Sequence, residues 1–300
     1  MQRSSTTLVS TIILLLGCRA TDTASPSPSP RVAEVQRIEK DLGYGSSDAF
    51  QRRASSNDEP LCYWTEKLKL PRNYESLRLR RSSDQGCGVD EDRYDLFRYE
   101  PEALARPRPA ISPSLEQASD ERLRVVVAHE DFHRQYEARS LPTDFEEAAA
   151  TLAGFLVAAE VASSLRGEER SFLEKAELIN EAHRRLSSTY ADHRRRKLPR
   201  GDAIDAKQRI FGALRASCES DKEKPQTFDP CPSADNNAGL AFDHTYTERY
   251  PLLFELYLAT GRDTAKTIAL LLRPRPASAR SSRGAEEWFR RLLHEEQAGR

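Results

Sequence analysis

Two histidines, His129 and His133, have the spacing of metal ligands. They lie four residues apart in the sequence HEDFH at residues 129–133, and residues four apart on an α-helix project from the same face, one turn from each other. Their imidazoles can therefore bind one metal ion, while the intervening Glu130 lies beside them. The chain has 6 histidines among 300 residues, so a chance match has a probability of about one in a hundred. The pattern predicts a zinc site, against the alternative of two surface histidines on an amphipathic helix.

A catalytic zinc ion usually has three protein ligands and one water molecule, so a third protein ligand is needed. Glu146 and Glu147 are the nearby candidates. Thr143 and Glu146 fit a capping box, in which the Glu146 side chain bonds back to the amide of Thr143. This leaves Glu147 as the predicted ligand. Asp131 is a weaker alternative, because it lies on a different face of its helix from the two histidines.

The elements that must position these side chains are predicted to be mainly helical. Small residues at 148–150 and 153–154 would let the helix of Glu147 pack closely against the helix of the motif. Residues 32 to about 110 show no clear period beyond a first short helix, so we expect short strands and loops there. The fold class is therefore mainly α, within α+β, with a short, irregular N-terminal strand and loop region. Helical periodicity, and at Ser171 a capping box, predict helices over residues 32–42, 120–139, 144–165, 171–190, 202–216, 238–260, 264–272 and 285–293.

Composition and charge narrow the classes of function. The chain carries 46 basic and 47 acidic side chains, a net charge of -1, which argues against a nucleic-acid binder. Hydrophobic residues make up 38% and charged residues 31%, a composition typical of a soluble domain. The one strongly apolar run, at residues 8–17, is only half as long as the ~20-residue helix that spans a bilayer.

The N-terminus has the features of a bacterial lipoprotein signal over residues 1–18. A positive start precedes the apolar run, and the small Gly17 comes before Cys18, whose thiol would take the lipid. The alternative is an ordinary cleaved secretion signal with an incidental cysteine. The Ser/Pro-rich residues 19–31 would form a tether, followed by one domain over residues 32–300, of which 32–119 is the least readable part. We expect a lipid-anchored protein of a bacterial cell envelope, on the periplasmic side of the outer or inner membrane.

Four further cysteines remain after Cys18. An even number in an exported chain indicates disulfides, although four cysteines allow three pairings. Each pair of sequence neighbours brackets a turn-rich segment, so we predict Cys62–Cys87 and Cys218–Cys231.

Three stretches resemble a family of bacterial predicted aminopeptidases, zinc-dependent HExxH lipoproteins of the gluzincin type. The first is HEDFH at residues 129–133 and the second is FEEAAAT at residues 145–151. The third begins with NNAGL at residue 236, continues to TY at 245–246 and ends with YPLLF at 250–254. The likeness covers roughly the C-terminal two thirds. Glu146 departs from it, because the family usually has Asn there, and the first hundred residues match no family pattern.

The resemblance implies a zincin-like metallopeptidase fold that binds Zn²⁺ through His129, His133 and Glu147, with Glu130 as the catalytic base. In such a reaction a phenol or an imidazole commonly stabilises the oxyanion. Tyr246 is the preferred donor and His244 the alternative.

Three other features each fit more than one role. Asn236 and Asn237 fit equally a peptide-binding cleft and a helix cap. His183 falls on the apolar side of its helix and is expected to be a core or boundary histidine rather than a ligand. The basic run at 193–197 is expected to be a solvated loop, with contact to anionic lipid as the alternative.

The predicted function is a membrane-tethered zinc metallopeptidase that hydrolyses a peptide or protein substrate by metal-activated water, and by its family likeness an aminopeptidase. One alternative is an inactive binding or scaffold lipoprotein that keeps the zincin fold. Another is a structural helical lipoprotein with an incidental motif. The sequence leaves the oligomeric state open.

Overall fold

A computed structural model describes residues 29–82, 86–101, 109–135, 141–219 and 235–299. The predicted signal peptide, its Cys18 and nearly all of the predicted tether lie outside these residues. Cys231 does too, and with it the predicted Cys218–Cys231 bond. The other predicted disulfide, Cys62–Cys87, is present, with the two Cα atoms 5.8 Å apart.

The described part of the chain is mainly helical with one small sheet, as the sequence predicted. Its strands are β1 (Leu61–Glu66), β2 (Arg78–Arg81) and β3 (Tyr94–Tyr99), and a single 3-10 turn at Tyr74–Ser76 precedes β2. The helices are α1 (Pro30–Asp41), α2 (Pro113–Gln117), α3 (Asp120–Arg134), α4 (Thr143–Val161), α5 (Glu168–Arg194), α6 (Arg200–Glu219), α7 (Asn237–Thr247), α8 (Tyr250–Ala259), α9 (Thr264–Leu271) and α10 (Ser282–Ala298). Among these described helices, none combines the length and the apolar composition that crossing a membrane requires.

Several helices begin earlier than predicted, and two of these beginnings have a clear local cause. Helix α1 starts at Pro30, with the Ser29 hydroxyl accepting a bond from an amide of its first turn, so the predicted tether cannot extend to residue 31. Helix α5 starts at Glu168 rather than at Ser171, which lies inside the helix and caps nothing. Gly167 has a φ of 100°, which a residue with a side chain rarely adopts. This glycine places the turn directly before Glu168, ahead of the position that the capping pattern indicated.

The prediction of one helix over residues 238–260 was wrong. The structure has two helices, α7 and α8, separated at residues 248–249. Pro251 lies at the beginning of α8, where its missing amide is tolerated, whereas in a continuous helix it would remove a bond and clash with the preceding turn. The predicted continuation of α3 to residue 139 falls on residues that the structure does not describe beyond Gln135.

The three-stranded sheet packs one face on helix α7. The strands are antiparallel in the order β2-β1-β3. Successive side chains along a strand point to opposite faces of the sheet. Tyr63 of β1 and Phe97 of β3 are directly paired, and both rings contact Phe242 of α7, at centroid distances of 5.3 and 4.9 Å. This aromatic contact joins the N-terminal sheet to the helical body.

Helices α3 and α4 form the centre of the core. Leu123, Val127 and Phe132 of α3 are fully buried, and most of α4 is buried around its circumference. Gly154 is the point of closest approach, because a Cβ there would lie 3.0 Å from the Val125 carbonyl oxygen and 3.3 Å from the Cβ of His129. The predicted close packing through small residues is therefore confirmed.

Replacing Gly154 with Ala should destabilise the protein. The added methyl group meets backbone that cannot move aside, and overpacking of this kind costs about 1–3 kcal/mol. Gly212→Ala in α6 is the matched control, because a Cβ there meets nothing within 4 Å and Ala in a helix is favoured over Gly by up to about 1 kcal/mol. Urea denaturation followed by circular dichroism measures both. Equal changes in the two variants would contradict the close contact.

Candidate metal centre

The structure brings His129, His133 and Glu147 together. The two Nε2 atoms are 3.2 Å apart, and the Oε2 atom of Glu147 is 3.3 Å from each of them. A tetrahedral ion with bonds of about 2.0–2.2 Å separates its ligand atoms by about 3.3–3.6 Å. The three side chains thus form a triangle of the size that one ion requires, and the group could hold a metal ion.

Burial and charge make Glu147 suitable as a ligand. Burial by itself would raise its pKa, but the neighbouring His133 and His129 outweigh this and hold the pKa below its ordinary value. Its Oε2 atom is buried and has no well-formed hydrogen bond among the described residues. A buried carboxylate oxygen without a partner is unfavourable. A cation bound by the triangle would compensate it.

Glu146 orients His133 and does not cap its helix. The Nδ1 atom of His133 lies 3.0 Å from Oε1 of Glu146, so an Nδ1–H that donates there leaves the Nε2 lone pair facing the triangle. The predicted capping box was wrong. Pro142 precedes α4, which has no side-chain cap bond, and the Thr143 hydroxyl donates instead to Glu75. Glu147 still occupies the triangle, although the reason given for choosing it does not hold.

Asp131, the weaker alternative, faces away from the triangle. Its carboxylate accepts bonds from the Ser47 hydroxyl at 2.6 Å and from the Gln36 amide at 3.2 Å. These partners lie in or just after α1, so Asp131 joins α1 to α3. Among the acidic residues that the structure describes, Glu147 alone forms a metal-binding group with the two histidines.

Glu130 lies next to the triangle and interacts electrostatically with its members. Burial raises its pKa, and His129 and His133 oppose that rise. Its Oε2 atom is buried and has no hydrogen-bond partner among the described residues. A buried carboxylate oxygen without a partner is unfavourable, so a water molecule or ligand bound there would stabilise it.

Of the two predicted oxyanion donors, Tyr246 is the one near the triangle. Its ring centroid lies 6.2 Å from that of His129, and burial, followed by the charge of Glu147, raises its pKa well above the usual 10. Tyr246 therefore keeps its phenolic proton. His244 instead donates from Nδ1 to the Arg72 carbonyl at 2.7 Å and stacks on His183, with ring centroids 3.6 Å apart.

Tyr74 is a site residue that the sequence did not reveal. Its hydroxyl donates to Oε1 of Glu147 at 2.9 Å, which fixes the carboxylate and leaves Oε2 for the triangle. Tyr74 comes from the 3-10 turn before β2, 73 positions earlier in the chain than Glu147. No spacing rule connects residues so far apart, and the region around Tyr74 matches no pattern.

Residues 71–75, which we call the anchored segment, are held by α5 and α7. His183 bonds the Pro71 carbonyl from Nε2 at 3.1 Å, next to the bond from His244 to Arg72. The Tyr74 amide donates to the Thr245 hydroxyl at 3.0 Å. The prediction that His183 is a core or boundary histidine agrees with these contacts, and its bond helps to place Tyr74.

The two asparagines at the start of α7 have structural roles. Asn236 caps α7, with its side-chain oxygen accepting from the amides of Ala238 and Gly239. Asn237 is fully buried and bonds Tyr190 and the backbone of residues 67 and 69. The helix-cap interpretation of Asn236 is therefore the correct one.

The chain was compared with protein-family models, with curated proteins and with solved structures, and none of them matches.

Substitution of the two adjacent glutamates should distinguish Glu147, the proposed metal ligand, from Glu146, which orients the ligand His133. We expect stoichiometric zinc in the wild type and none retained by Glu147→Ala, as by His133→Ala. Glu146→Ala should still bind one zinc ion per chain at saturating zinc. Its affinity should be about 10- to 100-fold lower, as is usual when a ligand's hydrogen-bond partner is lost. Mass spectrometry gives the metal content and chelator competition the affinity. The reverse pattern would make Glu146 the ligand.

Tyr74→Phe should weaken zinc binding by about 10-fold or more, because Glu147 loses the bond that fixes its carboxylate. Tyr94→Phe is the control, since Tyr94 lies on β3 three residues from Phe97 and so on the face away from α7. Chelator competition at constant pH measures both affinities. Equal zinc affinities in the two variants would show that Tyr74 does not contribute to metal binding.

The pKa of His244 makes stability depend on pH. Burial, and then the neighbouring His183, lower this pKa to about 3, whereas an unfolded histidine titrates near ~6.5. The unfolded chain therefore binds the extra proton as the pH falls below that value, and the folded protein loses stability. Between pH 7 and pH 5 the loss attributable to His244 is about 2 kcal/mol.

His244→Asn, which keeps a donor for the Arg72 carbonyl, should remove that part of the pH dependence. The free energy of unfolding from urea titrations at both pH values tests this. The same dependence in wild type and variant would show that His244 takes up its proton in the folded state.

Proposed function

We propose that this protein is a zinc metallopeptidase with a zincin-like fold. The observation that carries the proposal is the buried triangle of His129, His133 and Glu147, with a carboxylate oxygen of Glu130 beside it that has no hydrogen-bond partner in the described part of the chain. Nitrogen and oxygen ligands in this number favour zinc, and three protein ligands leave a position for substrate. The family resemblance supports a peptide or protein substrate and, through its name, an aminopeptidase activity.

The features of the N-terminus support a protein held at the bacterial cell envelope. In this proposal Cys18 carries the lipid, and residues 19–29 connect it to α1. The disulfide Cys62–Cys87 agrees with an oxidising compartment. The substrate would then be a peptide or protein of the envelope.

Five residues of the chain would hold the zinc ion or orient its ligands. His129, His133 and Glu147 hold the ion, while Glu146 and Tyr74 fix the orientation of two of these ligands. When bound, zinc supplies a Lewis acid that lowers the pKa of a water molecule towards ~7.

Two other residues, Glu130 and Tyr246, would transfer the proton and stabilise the developing negative charge. Glu130 accepts the proton of the attacking water and passes it to the leaving amine. Tyr246 keeps its proton at neutral pH and donates a hydrogen bond to the oxygen on which negative charge develops.

Glu130→Gln should abolish peptide hydrolysis and leave zinc bound, because the amide has the size of the carboxylate but cannot accept the proton. We expect a fall of about 100- to 10,000-fold in turnover of a quenched fluorescent peptide library. Glu121→Gln, on the same helix but in its first turn, is the control and should keep full activity. Zinc content is measured on each preparation.

The outcomes distinguish the alternatives. Bound zinc without hydrolysis in the wild type would favour an inactive binding lipoprotein. A wild type that takes up no zinc after reconstitution would contradict the proposal altogether.

A further inference from the structure

A cavity of about 710 Å³ lies between the turn after β1 and the turn from α5 to α6. Its volume falls in the range of small-molecule sites. No member of the metal triangle lines it, and neither does Glu130 or Tyr246. Its basic lining residues are Lys67, Lys69, Arg93, Arg194 and Arg200.

The cavity has a marked excess of positive charge. Its five cations face two carboxylates, Glu66 and Asp92, and Glu66 is itself 3.3 Å from Arg78. Among the cations, Lys67 pairs with the buried Asp95 at 3.3 Å. The other four have no ion-pair partner among the described residues. Like charges that line one cavity without ion-pair partners repel one another, and an anion between them would offset that repulsion.

The wall formed by residues 67–70 is fixed from within the protein. The Lys207 ammonium and the Asn237 amide donate to the Lys67 carbonyl at 3.1 and 3.0 Å. Asn237 also donates to the Lys69 carbonyl at 3.2 Å. Within this segment, Lys207 and Asn237 thus bond only to backbone carbonyls, and the Lys69 side chain remains exposed.

The opposite wall, the turn between α5 and α6, is fixed as well. The Nδ1 atom of His193 donates to the Leu198 carbonyl at 3.0 Å, and the Lys197 amide donates to the Asp192 carbonyl at 3.0 Å. Helix α6 begins at Arg200, a lining residue, so the positive end of a 20-residue helix dipole points to this side. The cations therefore project from preformed backbone on both sides.

We propose that this cavity binds a ligand through its phosphate group. Three of its cations are arginines, whose planar guanidinium groups bind phosphate oxygens in pairs. A phosphate that carries nearly two negative charges matches the excess of positive charge better than a single carboxylate does. The phosphate belongs either to a soluble compound or to a lipid headgroup. The proposal is independent of the metal site.

Calorimetric titration of the full chain with sodium phosphate, at an ionic strength held constant with sodium chloride, tests the soluble source. Arg194→Gln/Arg200→Gln removes two lining charges. Arg37→Gln/Arg283→Gln removes the same charge from exposed positions on α1 and α10 and is the control. We expect saturable binding in the wild type and the control, and an affinity lower by about tenfold or more in the cavity variant.

Cosedimentation with vesicles tests the lipid source. Phosphatidylcholine vesicles give the binding due to the apolar N-terminus, and vesicles that also contain phosphatidic acid add a phosphate monoester headgroup, which carries nearly two negative charges. Added binding that is lost in the cavity variant and kept in the control supports the headgroup. If neither titration nor cosedimentation distinguishes the cavity variant from the control, the proposal is overturned.

Discussion

The close contact between α3 and α4 is the constraint on which the candidate metal centre depends. A buried carboxylate is stable only if opposite charge or hydrogen bonds replace the water that it loses. Glu147 obtains part of this compensation from two histidines on the neighbouring helix, and they reach it because Gly154 lets the backbones approach to the limit of contact. A larger residue at this point would separate the helices, and the triangle of nitrogen and oxygen atoms would open.

Around this contact, the rest of the protein fixes the direction of each ligand. Glu146, the residue before Glu147 on α4, aligns His133, while Tyr74 aligns Glu147 from another part of the chain. The bond from Tyr74 depends on the anchored segment, which two stacked histidines hold by consecutive carbonyl groups. The N-terminal region therefore contributes a side chain to the centre of the helical body.

The local part of this arrangement was predictable from the sequence and the distant part was not. The spacing of His129 and His133 identifies one face of one helix, and the small residues after Glu147 indicate the close packing that the structure has. A capping pattern also fits chance combinations of Ser, Thr and Glu, which is why it indicates the wrong helix beginnings at Thr143 and Ser171. Tyr74 could not be found, because its contact depends on tertiary packing of a segment without periodicity.

The disulfide Cys62–Cys87 encloses the anchored segment, and this links the redox state of the chain to the assembly of the site. The bond closes a loop across a sequence separation of 25 residues, and closure of such a loop lowers the entropy of the unfolded chain by the equivalent of about 3.5 kcal/mol. Tyr74 lies in the middle of that loop. In a reduced chain the hydroxyl would have to find Glu147 from a much larger set of conformations, so we expect the disulfide to favour assembly of the candidate metal site as well as folding.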